Sequence, residues 1–285
     1  MSKDIHWFPG HMKKASIQIQ DKLKLVDCLI ELLDARIPYS SRNNELYNLT
    51  KSKNRLVVLT KQDLADPLIN EKWINYFKEQ GFACIFVDLN NSQDVRRIIK
   101  CVEKISIKNQ QKYLDKGMRK QPIRAMIVGI PNVGKSTLIN KIAKRKAAGV
   151  ENKPGFTKSQ QWIKVSDQFE LLDTPGILQS SYDDKEKAIN LALCGSINEN
   201  ILPREFLANE LLNYLRQFYP NSLIERYKLT SLNDDNNLLL TSIARNRGLL
   251  DKGETDIKKA EILLLNEFKN GKLGRISLER KERCL

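Results

Sequence analysis

Gly129-Ile-Pro-Asn-Val-Gly-Lys-Ser-Thr137 stands directly after the apolar run Ala125-Met-Ile-Val128 and opens a helical stretch from Lys135 to about Lys144. The two glycines free consecutive backbone N–H groups to turn toward one point. The positive end of the following helix aims at the same place. A strand, a glycine-bracketed loop and a helix in that order form a cradle for the phosphates of a nucleotide. Asn132, Val133 and Gly134 belong to the cradle through their backbone. Lys135 is expected at the β and γ phosphates, Ser136 on Mg²⁺ and Thr137 near the α phosphate.

Two further motifs extend this site in both chain directions. Downstream, Asp173-Thr-Pro-Gly176 follows the apolar strand end Phe169-Glu-Leu-Leu172. Asp173 is expected to hold Mg²⁺ through water, and the Gly176 N–H to sense a γ phosphate. Thr157, in Pro154-Gly-Phe-Thr157, lies between the two motifs, where a hydroxyl can complete the Mg²⁺ shell when the γ phosphate is present. Upstream, Thr60-Lys-Gln-Asp63 follows the strand Arg55-Leu-Val-Val-Leu59. A carboxylate at Asp63 accepts both the N1–H and the N2–H of guanine. Adenine offers no such pair, so the contact selects GTP and GDP over ATP. Lys61 is expected to lay its stem over the base. Thr60 stands where asparagine is usual; one hydroxyl in place of an amide predicts a more loosely oriented loop. Asp88 and Leu89, at the end of the strand Ala83-Cys-Ile-Phe-Val87, occupy the place of a second base-contacting loop.

The order of these motifs is unusual. A Ras-like GTPase carries the phosphate loop first and the base-reading motif last, whereas here the base-reading motif comes first. The chain therefore reads as a nucleotide fold cut and rejoined at new ends. Strands alternate with helices up to Leu178, which predicts a mostly parallel sheet with helices on both faces. Beyond it no strand pattern recurs. Phe206, Leu207, Leu211, Leu215 and Phe218 mark one amphipathic helix, and Ile257, Ala260, Leu264 and Phe268 another. The expected fold is α/β: a circularly permuted P-loop GTPase domain over residues 1–178, with a small all-helical C-terminal domain over residues 179–285.

Length and charge bound the class. The 285 residues suffice for one α/β domain and a smaller appendage. No apolar run is long enough to span a bilayer and Met1–Trp7 lacks a secretion core, so a soluble cytoplasmic protein without a membrane partner is expected. Cysteines 28, 84, 101, 194 and 284 form no C-x-x-C pair and read as thiols of a reducing compartment. The net charge is +14, and residues 1–176 hold 31 Lys and Arg against 18 Asp and Glu. Part of this charge, Lys104, Lys108, Lys112, Lys116, Arg119, Lys120 and Arg124, falls on a stretch that reads as a linker broken by Gly117 and Pro122. The nucleotide-binding part is the basic part, and nucleic acid is the polyanion such a surface suits best.

Trp7-Phe-Pro-Gly-His-Met12, Asp34-Ala-Arg-Ile-Pro-Tyr-Ser-Ser-Arg42, the phosphate loop, Asp173-Thr-Pro-Gly-Ile177 and Gly274-Arg-Ile-Ser277 together resemble the circularly permuted, YlqF-type GTPases. The resemblance spans nearly the whole chain and is least specific over about 180–260. It implies a cytoplasmic GTPase that binds the immature large ribosomal subunit late in assembly and is stimulated by the particle; the basic face of residues 1–125 is expected to grip rRNA phosphates, and the protein to be a monomer off the ribosome. Ras-like enzymes orient the attacking water with a glutamine just after Asp-x-x-Gly; here that position is Ile177, which cannot hydrogen-bond water. The resemblance points instead to His11 for positioning the water, and to the Asn132 amide as a ligand for K⁺ near the phosphates. Three alternatives stay open: a nucleotide-gated RNA-binding module that barely hydrolyses alone, a small-subunit partner, and an ATP-using enzyme, the last disfavoured by Asp63.

Overall fold

The structure, a computed structural model, describes residues 10–146, 161–174, 176–178, 184–198, 201–251 and 253–284. Six strands form one sheet: β1 (Cys28–Asp34), β2 (Asn54–Thr60), β3 (Ala83–Phe86), β4 (Ile123–Val128), β5 (Gln161–Ser166) and β6 (Phe169–Asp173). Their spatial order is β3-β2-β1-β4-β6-β5, parallel throughout except for the β5–β6 hairpin. All five parallel strands therefore end on the same edge, where ligands of open α/β sheets bind.

Strand alternation divides the core. Cys28, Ile30 and Leu32 of β1, with Leu56 and Val58 of β2, pack on Val95, Ile98 and Val102 of α4 (Ser92–Asp115) and on Leu138 and Ile142 of α5 (Lys135–Lys146). The opposite face sets Leu33, Val57 and Leu59 against Ile69, Trp73 and Phe77 of α3 (Pro67–Glu79). Further along that face, Leu29, Met126 and Leu172 meet Ile19 of α1 (Gly10–Lys22) and Leu46 of α2 (Asn44–Thr50). With both faces covered, the strands read as continuous apolar runs.

The remaining helices are α6 (Lys185–Leu193), α7 (Arg204–Phe218), α8 (Pro220–Tyr227), α9 (Asn236–Asn246), α10 (Ile257–Lys269) and α11 (Lys281–Cys284). Leu207, Leu211 and Leu215 of α7 pack with Ala260, Leu264 and Phe268 of α10, as their spacing predicts. Two features depart from the sequence expectation. A two-residue antiparallel pair, β7 (Leu250–Asp251) with β8 (Glu254–Thr255), joins α9 to α10. The first part of the basic stretch read as a linker is helix: α4 runs to Asp115, because Ile105 packs on the core while Ser106 and Gln110 stay buried.

The C-terminal segment then returns to the sheet. Leu278 N–H donates to Arg36 O at 2.9 Å, and Trp73 Nε1 donates to Glu279 O at 3.2 Å. The buried Glu279 carboxylate accepts from Tyr39 N (2.6 Å), Ser40 N (2.9 Å), the Ser40 hydroxyl and Asn190 Nδ2 (3.3 Å). Burial pushes this carboxyl up to about 7 against the pull of those donors. Sequence periodicity carries no signal for such a contact.

Candidate functional site

The phosphate loop follows β4 and is built as the glycine pattern predicts. Gly134 has φ +105°, and Asn132 adopts the left-handed region at φ +60°, a conformation that Asn tolerates better than most residues. Ser136 and Thr137 lie exposed in the first turn of α5. Lys135 is buried and bends back, donating to Ile130 O at 2.7 Å and Gly129 O at 3.1 Å. Burial pushes its amine down to about 8, and the nearby Asp173 opposes this only in part. A buried ammonium short of anionic company suits an incoming phosphate, so the donor set fits a nucleotide.

Three other loops converge on this one. The Thr60 hydroxyl, fully buried at the end of β2, donates to Val133 O at 2.7 Å and lies 3.0 Å from Leu33 O. The looser loop expected from threonine at this position is not what the geometry shows, because that hydroxyl ties the base-reading loop to the phosphate loop. From the end of β3, Leu89 packs so closely that a Cβ on Gly134 would stand 2.7 Å from Leu89 Cδ1. From the end of β6, Gly176 lies over the phosphate loop; a Cβ there would stand 2.8 Å from Pro131 N and 2.9 Å from Lys135 Nζ. Asp173 is buried at the C-terminal end of β6. Thr174 hydroxyl donates to Ile127 O at 2.5 Å, and Asn43 Nδ2 holds Ile177 O at 3.0 Å. Ile177 itself is buried.

Beside the Thr60 motif lies a cleft of about 530 Å³ lined by Gln62, Asp63, Asp88, Asn91 and Arg275. Asp63 and Asp88 thus share one cavity, as their strand-end positions require. Lys61 takes φ +59° and its amine meets Asp34 Oδ2 at 2.9 Å. Asp34 is fully buried and also binds Arg36 through Nε (3.0 Å) and Nη2 (2.8 Å). Burial alone would raise its carboxyl, but Arg36 and Lys61 hold it well below the usual carboxylate range. Asp94 Oδ2 accepts from Gln62 Nε2 (2.7 Å) and Asp88 N (2.9 Å), fixing one loop to the other.

Sequence reasoning missed Gln62, Asn91 and Arg275 as cleft residues, and Asn43, Asp34 and Asp94 as their supports. Gln62 stood inside the quoted Thr60 motif, and Asp34 and Arg275 inside stretches whose resemblance was noted without a role; the others carried no signal. Asn132 donates from Nδ2 to Gly195 O at 2.7 Å, beyond α6, and so joins the phosphate loop to the helical region. His11 lies in α1 with its side chain outside the described residues; Thr157 lies outside them altogether.

A doubly wound sheet whose phosphate loop follows β4 and whose base-side loop follows β2 defines a P-loop GTPase with permuted motif order. The family described as "50S ribosome-binding GTPase" matches residues 124–217. Ribosome biogenesis GTPase A of Bacillus cereus is 44% identical over 279 residues, 98% of this chain and 94% of that protein. GDP-bound TM YlqF superposes with a TM-score of 0.69 at 28% identity, covering 93% of this chain and 99% of that one. GNP-bound YlqF from T. maritima superposes with a TM-score of 0.65 at 29% identity, covering 94% and 98%. The chain belongs to the ribosome biogenesis GTPase A family, and it hydrolyses GTP.

Proposed function

We propose that this GTPase acts late in assembly of the large ribosomal subunit, gripping rRNA in one nucleotide state and releasing it in the other. One observation carries the reading: the Thr60 hydroxyl joins the base-side loop to the phosphate loop through Val133 O, which supports Asp63 and Lys135 serving one nucleotide. Asp63 reads guanine, while Lys135 and the backbone of 132–134 take the phosphates. Ser136, Thr157 and Asp173 would hold Mg²⁺, which would supply positive charge against the phosphates. His11 positions the attacking water. Asn132 offers Oδ1 to K⁺, its nitrogen being held by Gly195 O.

Partner recognition is electrostatic. Lys104, Lys108, Lys112, Lys116, Arg119, Lys120 and Arg124 are all exposed along α4, the connection after it and the start of β4. Rigid spacing on a helix suits phosphate contacts, which fix affinity without reading sequence. Among the described residues no helix is long and apolar enough to cross a membrane, in keeping with a cytoplasmic role off the bilayer.

The test is sedimentation with isolated large and small subunits in a non-hydrolysable GTP analogue and in GDP, over a salt series, with hydrolysis followed in K⁺ and Na⁺. Expected are co-sedimentation with large subunits in the analogue state alone, steep weakening with salt, and turnover raised by particles and by K⁺. Binding to small subunits instead, or equal binding in both nucleotide states, would overturn the reading.

A further inference from the structure

Residues 275–277 lie more than two hundred positions from the base-reading loop in sequence, yet they bond to four of its backbone groups. Arg275 donates from Nη2 to Gln62 O at 2.7 Å and from Nε to Ala65 O at 2.9 Å. Ile276 N–H donates to Leu64 O at 2.9 Å, and Asp66 N–H donates to Ser277 Oγ at 3.1 Å. The Tyr219 hydroxyl closes the set on Asp66 Oδ2 at 3.0 Å. The carbonyls and N–H so engaged belong to residues 62, 64, 65 and 66, which bracket Asp63.

The loop's own bonds are Leu64 N–H to Lys61 O at 3.0 Å and a longer one from Ala65 N–H to Gln62 O at 3.4 Å, the latter against 2.7 Å for the charged donor on the same oxygen. Lys61 enters the turn with φ +59°. Asp63 is exposed to the cleft, and its carboxylate makes no hydrogen bond among the described residues. Its aim is therefore set by the backbone on either side of it. Arg275 also forms part of the cleft wall beside Asp63 and Asp88.

From this geometry we infer that Arg275 is a positioning residue for guanine selection, holding the Asp63 carboxylate where it accepts both the N1–H and the N2–H of the base. This rests on the reading of Asp63 as the guanine contact. The bracing segment follows α10 after five residues, and Gly271 abuts the same loop so closely that a Cβ would stand 2.6 Å from Leu64 Cδ2. The far end of the helical region thus sets how well the nucleotide base is held. By linkage, a bound guanine nucleotide stabilises that end of the chain.

The test compares wild type, Arg275→Ala, Arg275→Lys and Asp63→Ala in binding GDP and IDP, whose base lacks the N2 amine. For Arg275→Ala, GDP binding is expected to weaken about tenfold, the size of losing one or two charged hydrogen bonds. IDP weakens less, so the GDP-over-IDP preference narrows, and in hydrolysis the loss falls on KM rather than kcat. Arg275→Lys recovers part of the affinity, because one ammonium reaches one of the two carbonyls. If Arg275→Ala does not fold, Ser277→Ala cuts the Asp66 contact and is expected to weaken GDP two- to threefold, with the same narrowing. Wild-type GDP affinity and an unchanged GDP-to-IDP ratio in Arg275→Ala, or in Ser277→Ala where it replaces it, while Asp63→Ala loses GDP, overturns the role of the C-terminal brace alone. Undiminished GDP binding by Asp63→Ala overturns the guanine reading and this inference with it.

Discussion

Nine consecutive residues, 129–137, make the phosphate loop, whereas the base end draws on Asp34, residues 60–66, Asp88, Asp94 and residues 275–279. The phosphate end grips with backbone N–H groups and a helix end, so its chemistry follows from local conformation and tolerates few side-chain choices. At the base end the proposed contact is a carboxylate on a short turn, whose own bonds are few. Its geometry is supplied by buried charges and by chain from the opposite terminus. On the proposed reading, one end of the nucleotide would be read by a local motif and the other by an assembled wall. The expected consequence is that base affinity, more than phosphate affinity, responds to distant changes in the fold.

Removing the Glu279 carboxylate breaks the assembled end most severely. Glu279→Ala leaves Tyr39 N–H, Ser40 N–H, the Ser40 hydroxyl and Asn190 Nδ2 without their buried acceptor. A loss of about 3 kcal/mol in unfolding free energy is expected in denaturant titration. GDP affinity should fall in the folded fraction, since residues 275–277 lose their anchor. A next, smaller effect addresses the junction between the ends. Thr60→Ala removes the hydroxyl between Leu33 O and Val133 O. About 1 kcal/mol of stability should go, with a several-fold weaker GDP complex by fluorescence titration. Thr60→Ser, which keeps the hydroxyl, should restore most of it.

The smallest effect sharpens the local end. Lys135 carries an amine lowered from 10.5 to about 8 by burial. Phosphates bound beside it favour the ammonium and raise that value again. At pH 7 free and bound forms are both protonated, so binding takes up no proton there. Above about 8 the free form loses its proton while the bound form keeps it, so binding takes up a proton and affinity falls as pH rises. Calorimetry in two buffers of different ionisation enthalpy should show uptake near zero at pH 7 and approaching one proton by about pH 9. The corresponding weakening at pH 8.5 is about fourfold. No uptake at the higher pH would place the lysine proton elsewhere.

Legibility in the sequence followed the same divide. The phosphate loop, the strand before it, the Asp173 motif and the Thr60 motif all sit where their patterns put them, because each is a strand end with a turn chemistry of its own. The α4 extension to Asp115 was hidden by Gly117 and by its run of lysines, which read as linker composition although Ile105 and Gln110 face inward. The grip of Thr60 on Val133 was equally hidden: the letter suggests a weaker side chain, and only packing shows that its hydroxyl is sealed from water. Gly274-Arg-Ile-Ser277 could be noticed as a stretch without being given a place.

The sequence alone determined the phosphate cradle, the reversed motif order and the parallel sheet, since these depend on φ/ψ freedom at glycine, helix polarity and strand periodicity over a few neighbouring residues. Tertiary structure alone decided what walls the base cleft, what aims Asp63 and which terminus returns to brace it. Those are pairings between chain segments with no shared period, and only the closing of a common core brings them within hydrogen-bond distance.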